Sequence, residues 1–237
     1  MHKITINSKL NPKELNKIYQ EKGRIQVPHF FTDETAQYLL KLLLENKTWS
    51  LAYNNGNNFY ESPISELEKL TTEQKQKFMN QIFVKAGNNF QYVFFQYYIS
   101  QAIELKEEPG HPLHQVDAFL NSDYYLDFMR ELTAEPSIKK ADSYASLFDK
   151  EHFLTDHDDL HHKHDRVAAC VFNLTKQWDR NWGGHLAFFD DKGNIEQAFI
   201  PAFNTLNILS IPQSHAVQQV TPFAQEKRYS LLSWLQR

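Results

Sequence analysis

Cysteine is nearly absent. Cys170 is the only one in 237 residues. A lone thiol excludes a disulfide framework and a cysteine-based zinc site, and it makes a reducing compartment, the cytoplasm, the expectation. No apolar run approaches the roughly 20 residues needed to cross a bilayer. The opening stretch "MHKITINSKLNPKEL" lacks the apolar centre of a secretory signal. There is no basic block and no acidic tail. The net charge is −4, with both signs mixed along the chain, which argues against nucleic acid or a membrane as partner. Repeats, low-complexity tracts and Gly/Ser linkers are missing too. What is present is apolar and aromatic: 41% hydrophobic and 14% aromatic residues, with 18 Phe and 11 Tyr. That suffices to bury a core and points to a globule containing β structure.

The pattern along the chain shifts near residue 135. Before it, helical signals dominate. "FFTDETAQYLLKLLLENKTW" offers Thr32 as an N-cap and Tyr38, Leu39, Leu42 and Leu43 at helical spacing. "TTEQKQKFMNQIF" and "NSDYYLDFMRELTAE" predict helices as well, the second capped by Ser122. A short strand, "RIQVPHF", precedes the first of these three. After residue 135 come short β-rich runs: 166–174, 185–190, 195–200, 205–211, 215–220 and 228–235. Turn-forming stretches such as "WGG", "DDKGN" and "PAFN" separate them. Such spacing predicts a sandwich, barrel or jelly roll. The expectation is one domain, 1–237. It comprises a helical layer with a first strand over 1–135, and a β core over 136–237.

The stretch "FLTDHDDLHHKH" (153–164) holds four histidines and three aspartates, and His152 precedes it. Most short His/Asp patterns are solvated loops. Three site readings compete with that one. His157 and His161, four apart, would share a helix face as a zinc pair. However, Asp158 stands where the metalloprotease motif has Glu, and only Leu160 could bury such a helix. "HHKH" (161–164) would be a His-rich metal tract, a compositional signal that a turn explains equally well. Third, an extended 153–159 would turn His157 and Asp159 to one side. That supplies two members of a two-His-one-carboxylate triad, which leaves open positions on Fe(II). This reading needs a distant second His and a cation for an anionic cosubstrate. His215 opens "HAVQQV" after an apolar strand. Arg228 and Ser230 lie two apart on the last strand, Arg with a fork suited to a carboxylate and Ser with a hydroxyl donor. Their order favours the third reading.

At this point the chain resembles a known family, the prolyl-hydroxylase-like 2-oxoglutarate- and Fe(II)-dependent dioxygenases. The likeness runs through "FLTDHDD", "RVAACVFNLTKQW", "WGGHLAFF", "PAFNTLNILSI", "SHAVQQV" and "KRYSLLSWL". It covers about residues 135–237 and fades toward the N-terminus. Among family members, the chain is similar to single-domain bacterial homologues of the ribosomal-protein and translation-linked prolyl hydroxylases. The eukaryotic ones carry a second β-helix domain, and the expectation here is a single domain without that counterpart.

The resemblance implies a mainly β fold with helices, a double-stranded β-helix or jelly roll with a helical N-terminal layer. It implies His157, Asp159 and His215 as iron ligands, Arg228 against the distal carboxylate of 2-oxoglutarate, and Ser230 beside it. Asn173 falls where hypoxia-sensing prolyl hydroxylases have a Tyr touching the same carboxylate. Phe148 stands where some prolyl hydroxylases have another Tyr, so that hydroxyl is missing; Tyr144 is a candidate substitute, although a Tyr on a strand more often fills a core. The implied cofactors are Fe(II), 2-oxoglutarate as cosubstrate and O2, with ascorbate as a reductant. The implied reaction releases succinate and CO2 and hydroxylates a substrate C–H bond. A prolyl residue of a protein or peptide is the expected substrate, and a free amino acid or other small molecule the alternative. Trp178, Trp182 and Tyr97 are candidates to stack on a proline ring, although such aromatics more often fill cores. The rival classes are a zinc hydrolase on His157 and His161, and a non-catalytic β-helix binding module.

Overall fold

A computed structural model describes residues 3–56 and 58–237. In its first half, α1 (Pro12–Lys22) leads into β1 (Arg24–Pro28) and α2 (Asp33–Glu45). A hairpin of β2 (Ser50–Asn55) and β3 (Asn58–Pro63) follows, then α3 (Ile64–Leu67) and α4 (Thr72–Ala86). Next come β4 (Tyr92–Tyr97), α5 (Ile99–Glu104), α6 (His114–Leu120) and α7 (Asp123–Thr133). The second half is β5 (Lys140–Phe148), β6 (Phe153–His157), β7 (Arg166–Asn173), β8 (Leu186–Phe189), β9 (Ile195–Phe199), β10 (Thr205–Ser210), β11 (His215–Val217) and β12 (Arg228–Gln236), with one 3-10 turn at Arg180–Trp182. Among the described residues no helix is long and apolar enough to cross a membrane.

The three expected helices form where their caps begin them. The Thr32 side chain accepts from the Thr35 amide, and Ser122 accepts from that of Tyr125. Thr71 and Gln74 close a reciprocal capping box. α2 buries Ala36, Leu39, Leu40, Leu42 and Leu43 as one stripe, and α7 buries Tyr125, Leu126, Met129 and Leu132. The first half differs from expectation in one respect: it supplies four strands rather than one. "SLAYNN" and "NFYESP" pair across an Asn- and Gly-rich turn, and β4 pairs with both β5 and β6. β3 is exposed along most of its length, so it carries no apolar alternation to reveal it.

The sheet order is β1-β10-β7-β12-β5-β4-β6-β11-β8-β9, antiparallel throughout. The eight C-terminal strands thus form two four-stranded arrays, β5-β12-β7-β10 and β6-β11-β8-β9. This is the double-stranded β-helix. Strand alternation sorts the side chains of the first array into two sets. Phe172, Ile208, Leu231 and Leu235 pack with Leu39, Leu43, Met129 and Leu132 of the helical layer. Tyr144, Phe148, Ala169 and Leu209 gather with Leu186 and Phe188 of the other array. That second cluster surrounds the mouth of the β-helix. β1 and β9, the outermost strands, are tied by side chains. Arg24 donates to Gln197 Oε1 (2.8 Å) and to Glu196, and Gln26 donates to the Ile200 carbonyl (2.9 Å).

Candidate metal centre and adjoining cavity

His157 ends β6 and His215 opens β11, and the two are direct register partners. Their rings lie 4.1 Å apart between centroids. Each ring is oriented by its own chain. His157 Nδ1 is 3.0 Å from the Thr155 carbonyl and His215 Nδ1 is 2.7 Å from the Gln213 carbonyl. A carbonyl only accepts, so Nδ1 carries the proton in both, and both Nε2 atoms face the same space. Asp159 reaches that space by a different route from the one expected. Strand β6 stops at His157, and Asp159 sits beyond it with φ +61°. The left-handed turn, not strand alternation, brings the carboxylate back. Its Oδ1 is 3.5 Å from His157 Nε2 and its Oδ2 3.5 Å from His215 Nε2.

One nitrogen or oxygen from each of these residues lies within 4.8 Å of the others. Two imidazoles and one carboxylate make a three-sided set that could hold a divalent metal and leave its remaining positions open. Burial alone would raise the Asp159 pKa, but hydrogen bonds and charge from the two histidines outweigh it and hold the carboxyl well below its usual range. Burial pushes His157 down and Asp159 more than reverses this. His161 lies outside the set. It sits on the exposed loop with its ring 4.5 Å from that of His164. The described residues therefore do not join His157 and His161 as a metal pair.

A cavity of about 940 Å³ adjoins the triad. Arg228, the first residue of β12, lines it and is 2% exposed. Its guanidinium lies 5.2 Å over the Phe148 ring, the residue paired with it across β5. No carboxylate among the described residues pairs with it, and Nε has no hydrogen-bond partner. Burial pushes its pKa down to about 10. A buried, unpaired cation is costly unless an anion joins it, so the cavity has the chemistry of an anion site beside a metal site.

Ser230 and Asn173 are register partners, with Ser230 two residues beyond Arg228 on β12. Both are buried, and neither is on the cavity wall. Ser230 Oγ has no partner, while Asn173 Nδ2 donates to Thr205 Oγ1 (3.0 Å). Tyr144 does line the cavity, and its hydroxyl makes no hydrogen bond among the described residues. Phe148 instead stacks on Phe94, 4.8 Å away.

The three aromatics expected to meet substrate stand elsewhere. Trp178 and Trp182 pack on each other at 5.5 Å, and Trp178 Nε1 donates to the Gly183 carbonyl (2.9 Å). They serve the "WGG" turn, not the cavity. Tyr97 faces the opposite side of β4 from the cavity, because side chains alternate along a strand. Its hydroxyl meets His114 Nε2 at 3.0 Å, and it borders a second, smaller cavity of about 350 Å³. The even-numbered residues of the same aromatic run, Tyr92, Phe94, Gln96 and Tyr98, line the large cavity instead. Sequence reasoning found this run and missed its phase. It also missed Arg166 and Trp234 as cavity residues.

Residues 143–236 match the family model of the 2OG-Fe(II) oxygenase superfamily. No curated protein sequence matches the chain. Solved structures are similar over nearly its whole length. A Pseudomonas putida prolyl-4-hydroxylase is 16% identical, with TM-score 0.61, covering 96% of this chain and 99% of that one. A 2OG-Fe(II) oxygenase family oxidoreductase from Burkholderia pseudomallei is 14% identical, with TM-score 0.62, covering 100% and 96%. A Trichoplax adhaerens prolyl hydroxylase, in complex with a hypoxia inducible factor oxygen degradation domain peptide fragment, is 12% identical. Its TM-score is 0.61, with coverage of 95% and 90%.

Proposed function

We propose, from the match of residues 143–236 to the family model of the 2OG-Fe(II) oxygenase superfamily, that this chain is a dioxygenase that hydroxylates a C–H bond of a prolyl residue. His157, Asp159 and His215 hold the metal, and Arg228 holds the distal carboxylate of 2-oxoglutarate. The observation that carries the reading is the meeting, in one cavity, of the His/Asp/His set and a buried guanidinium without an anion. When bound, Fe(II) with 2-oxoglutarate and O2 supplies the oxidation, releasing succinate and CO2. The chain's residues do the rest. The Thr155 and Gln213 carbonyls keep the imidazole protons on Nδ1, leaving both Nε2 lone pairs for the metal. Arg228 neutralises the far end of the cosubstrate and fixes its direction, and the Tyr144 hydroxyl on the same cavity offers a further donor. Tyr92, Phe94 and Phe148 exclude water from the inner wall.

Metal binding and cosubstrate binding test the reading separately. Asp159→Ala is expected to abolish Mn(II) binding in anaerobic titrations, whereas His161→Ala retains it. Arg228→Ala is expected to weaken 2-oxoglutarate binding by about 100-fold or more while metal stays bound. Metal lost with His161 and kept without Asp159 would turn the assignment toward a hydrolase. Unchanged cosubstrate affinity in the Arg228 variant would reject its role. Substrate is sought as a +16 Da change on proline in proteins incubated with and without the enzyme. Oxidation of free proline alone would favour the small-molecule alternative.

A further inference from the structure

Both imidazoles of the metal centre hang from residues that the first half of the chain holds in place. His157 directs its Nδ1 proton to the carbonyl of Thr155, and His215 directs its own to the carbonyl of Gln213, in each case two residues back. A backbone carbonyl aims a ring only as well as the backbone itself is fixed. Here the side chain of the same residue is the anchor. Thr155 Oγ1 accepts from the Gln91 amide (2.9 Å) and donates to the Gln91 carbonyl (3.0 Å), which also accepts from the Thr155 amide (3.0 Å). Gln91 is buried, and its Nε2 donates to the Asn54 carbonyl (2.8 Å). Gln213 Nε2 donates to the carbonyl of Lys22 (3.0 Å), the last residue of α1.

The same two first-half segments also brace the rings from the side. Phe90, next to Gln91, lies 5.7 Å from the His157 ring. Phe188 is the register partner of His215 and lies 6.3 Å from its ring. Arg24, two residues beyond Lys22, sits 4.5 Å over Phe188 and is itself held by Gln197 and Glu196. Thr155 and Gln213 do not line the large cavity, so neither side chain is placed to meet metal, cosubstrate or substrate. What they can do is reduce the ring freedom that metal binding would otherwise have to remove. We propose that Thr155 and Gln213 are positioning residues for the metal, through which segments 90–91 and 22–24 aim His157 and His215. The inference rests on the metal-centre reading above. It adds that the first half of the chain, not the β-helix alone, sets the affinity for the divalent ion.

The test combines anaerobic Mn(II) titration with 15N-histidine spectra of the metal-free protein. Thr155→Val keeps the shape of the side chain and loses only its hydroxyl. It is expected to weaken Mn(II) binding by about tenfold, as is Gln213→Met, and the double variant by about a hundredfold, since the tethers serve different rings. Thr155→Ser, which keeps the hydroxyl, should stay within about twofold of the parent. Ser122→Ala removes the α7 cap and no tether, so it should lower Tm and leave Mn(II) affinity unchanged. In the spectra, Thr155→Val should mix the tautomers of His157 while His215 keeps its proton on Nδ1, and Gln213→Met should do the reverse. Thr155→Val against Thr155→Ser decides the case if Gln213→Met does not fold. Unchanged Mn(II) affinity in Thr155→Val, an equal loss in Ser122→Ala, or tautomers indifferent to both tethers overturns the proposal. A parent protein that binds no Mn(II) overturns the metal-centre reading instead, and the inference with it.

Discussion

His157 and His215 show how little a residue type decides by itself. The chain has eleven histidines, and these two differ from the rest in having Nδ1 committed to a backbone carbonyl beside a buried carboxylate. His152, five residues before His157, has the opposite arrangement. Its Nδ1 accepts the Asp149 amide (3.2 Å), and burial lowers its pKa from 6.5 to about 4, against the charge of Asp149 and with that of Lys227. Between those values the unfolded chain binds a proton that the folded chain refuses. Stability should therefore fall as pH drops from about 6.5 to about 4, by about 3 kcal/mol, and level off below. His152→Asn should flatten that part of a stability-against-pH curve measured by denaturant melts. Tyr144 is the second residue-scale test. Phe148 has no hydroxyl, and Tyr144 lies on the same cavity wall as Arg228. Tyr144→Phe should raise the KM for 2-oxoglutarate by about five- to tenfold, and an unchanged KM would remove it from the cosubstrate site.

Among the elements, the short connections carry the strictest demands. Gly183 has φ +68° and bridges to Val220, and a Cβ there would lie 2.0 Å from the Gln219 carbonyl oxygen. Gly184 has φ +65° and would press on the Trp178 ring at 3.0 Å. The "WGG" turn thus joins the start of β8 to the segment that follows β11, whose first residue is His215. Gly183→Ala should cost about 2 kcal/mol or more, a Tm loss of about 4–8 °C by calorimetry. The helix starts were legible because Thr32, Thr71 and Ser122 are local capping signals. β3 was not, because five of its six residues face solvent and, among the described residues, its only strand partner is β2.

At the scale of the molecule, the β-helix depends on its helical layer. Leu39 and Leu43 of α2 and Met129 and Leu132 of α7 pack on Phe172, Ile208 and Leu231 of the β7, β10 and β12 strands. β4, from the first half, joins the two four-stranded arrays edge to edge. The whole chain is expected to unfold in one calorimetric transition. Residues 136–237 expressed alone should show no near-UV circular dichroism of a packed core, since one face of β5, β7, β10 and β12 would meet water. A cooperative transition in that fragment would show two independent units.

The sequence by itself determined the strand-rich second half, the capped helices, and the order His157, Asp159, His215, Arg228. These are statements about local propensity and chain order, which side-chain chemistry writes directly into the residues. Only the tertiary structure decided how those residues meet. Asp159 turns in through a left-handed φ rather than along a strand. Tyr97 faces away from the cavity while Tyr98 faces in, and Trp178 and Trp182 are spent on a turn. Arg166 becomes a cavity residue because Trp234 and the Asp159 carbonyl lie beside it, 68 residues ahead and seven behind. Such facts depend on which strand faces which across the barrel, and contacts between residues far apart in the chain leave no period for a sequence to display.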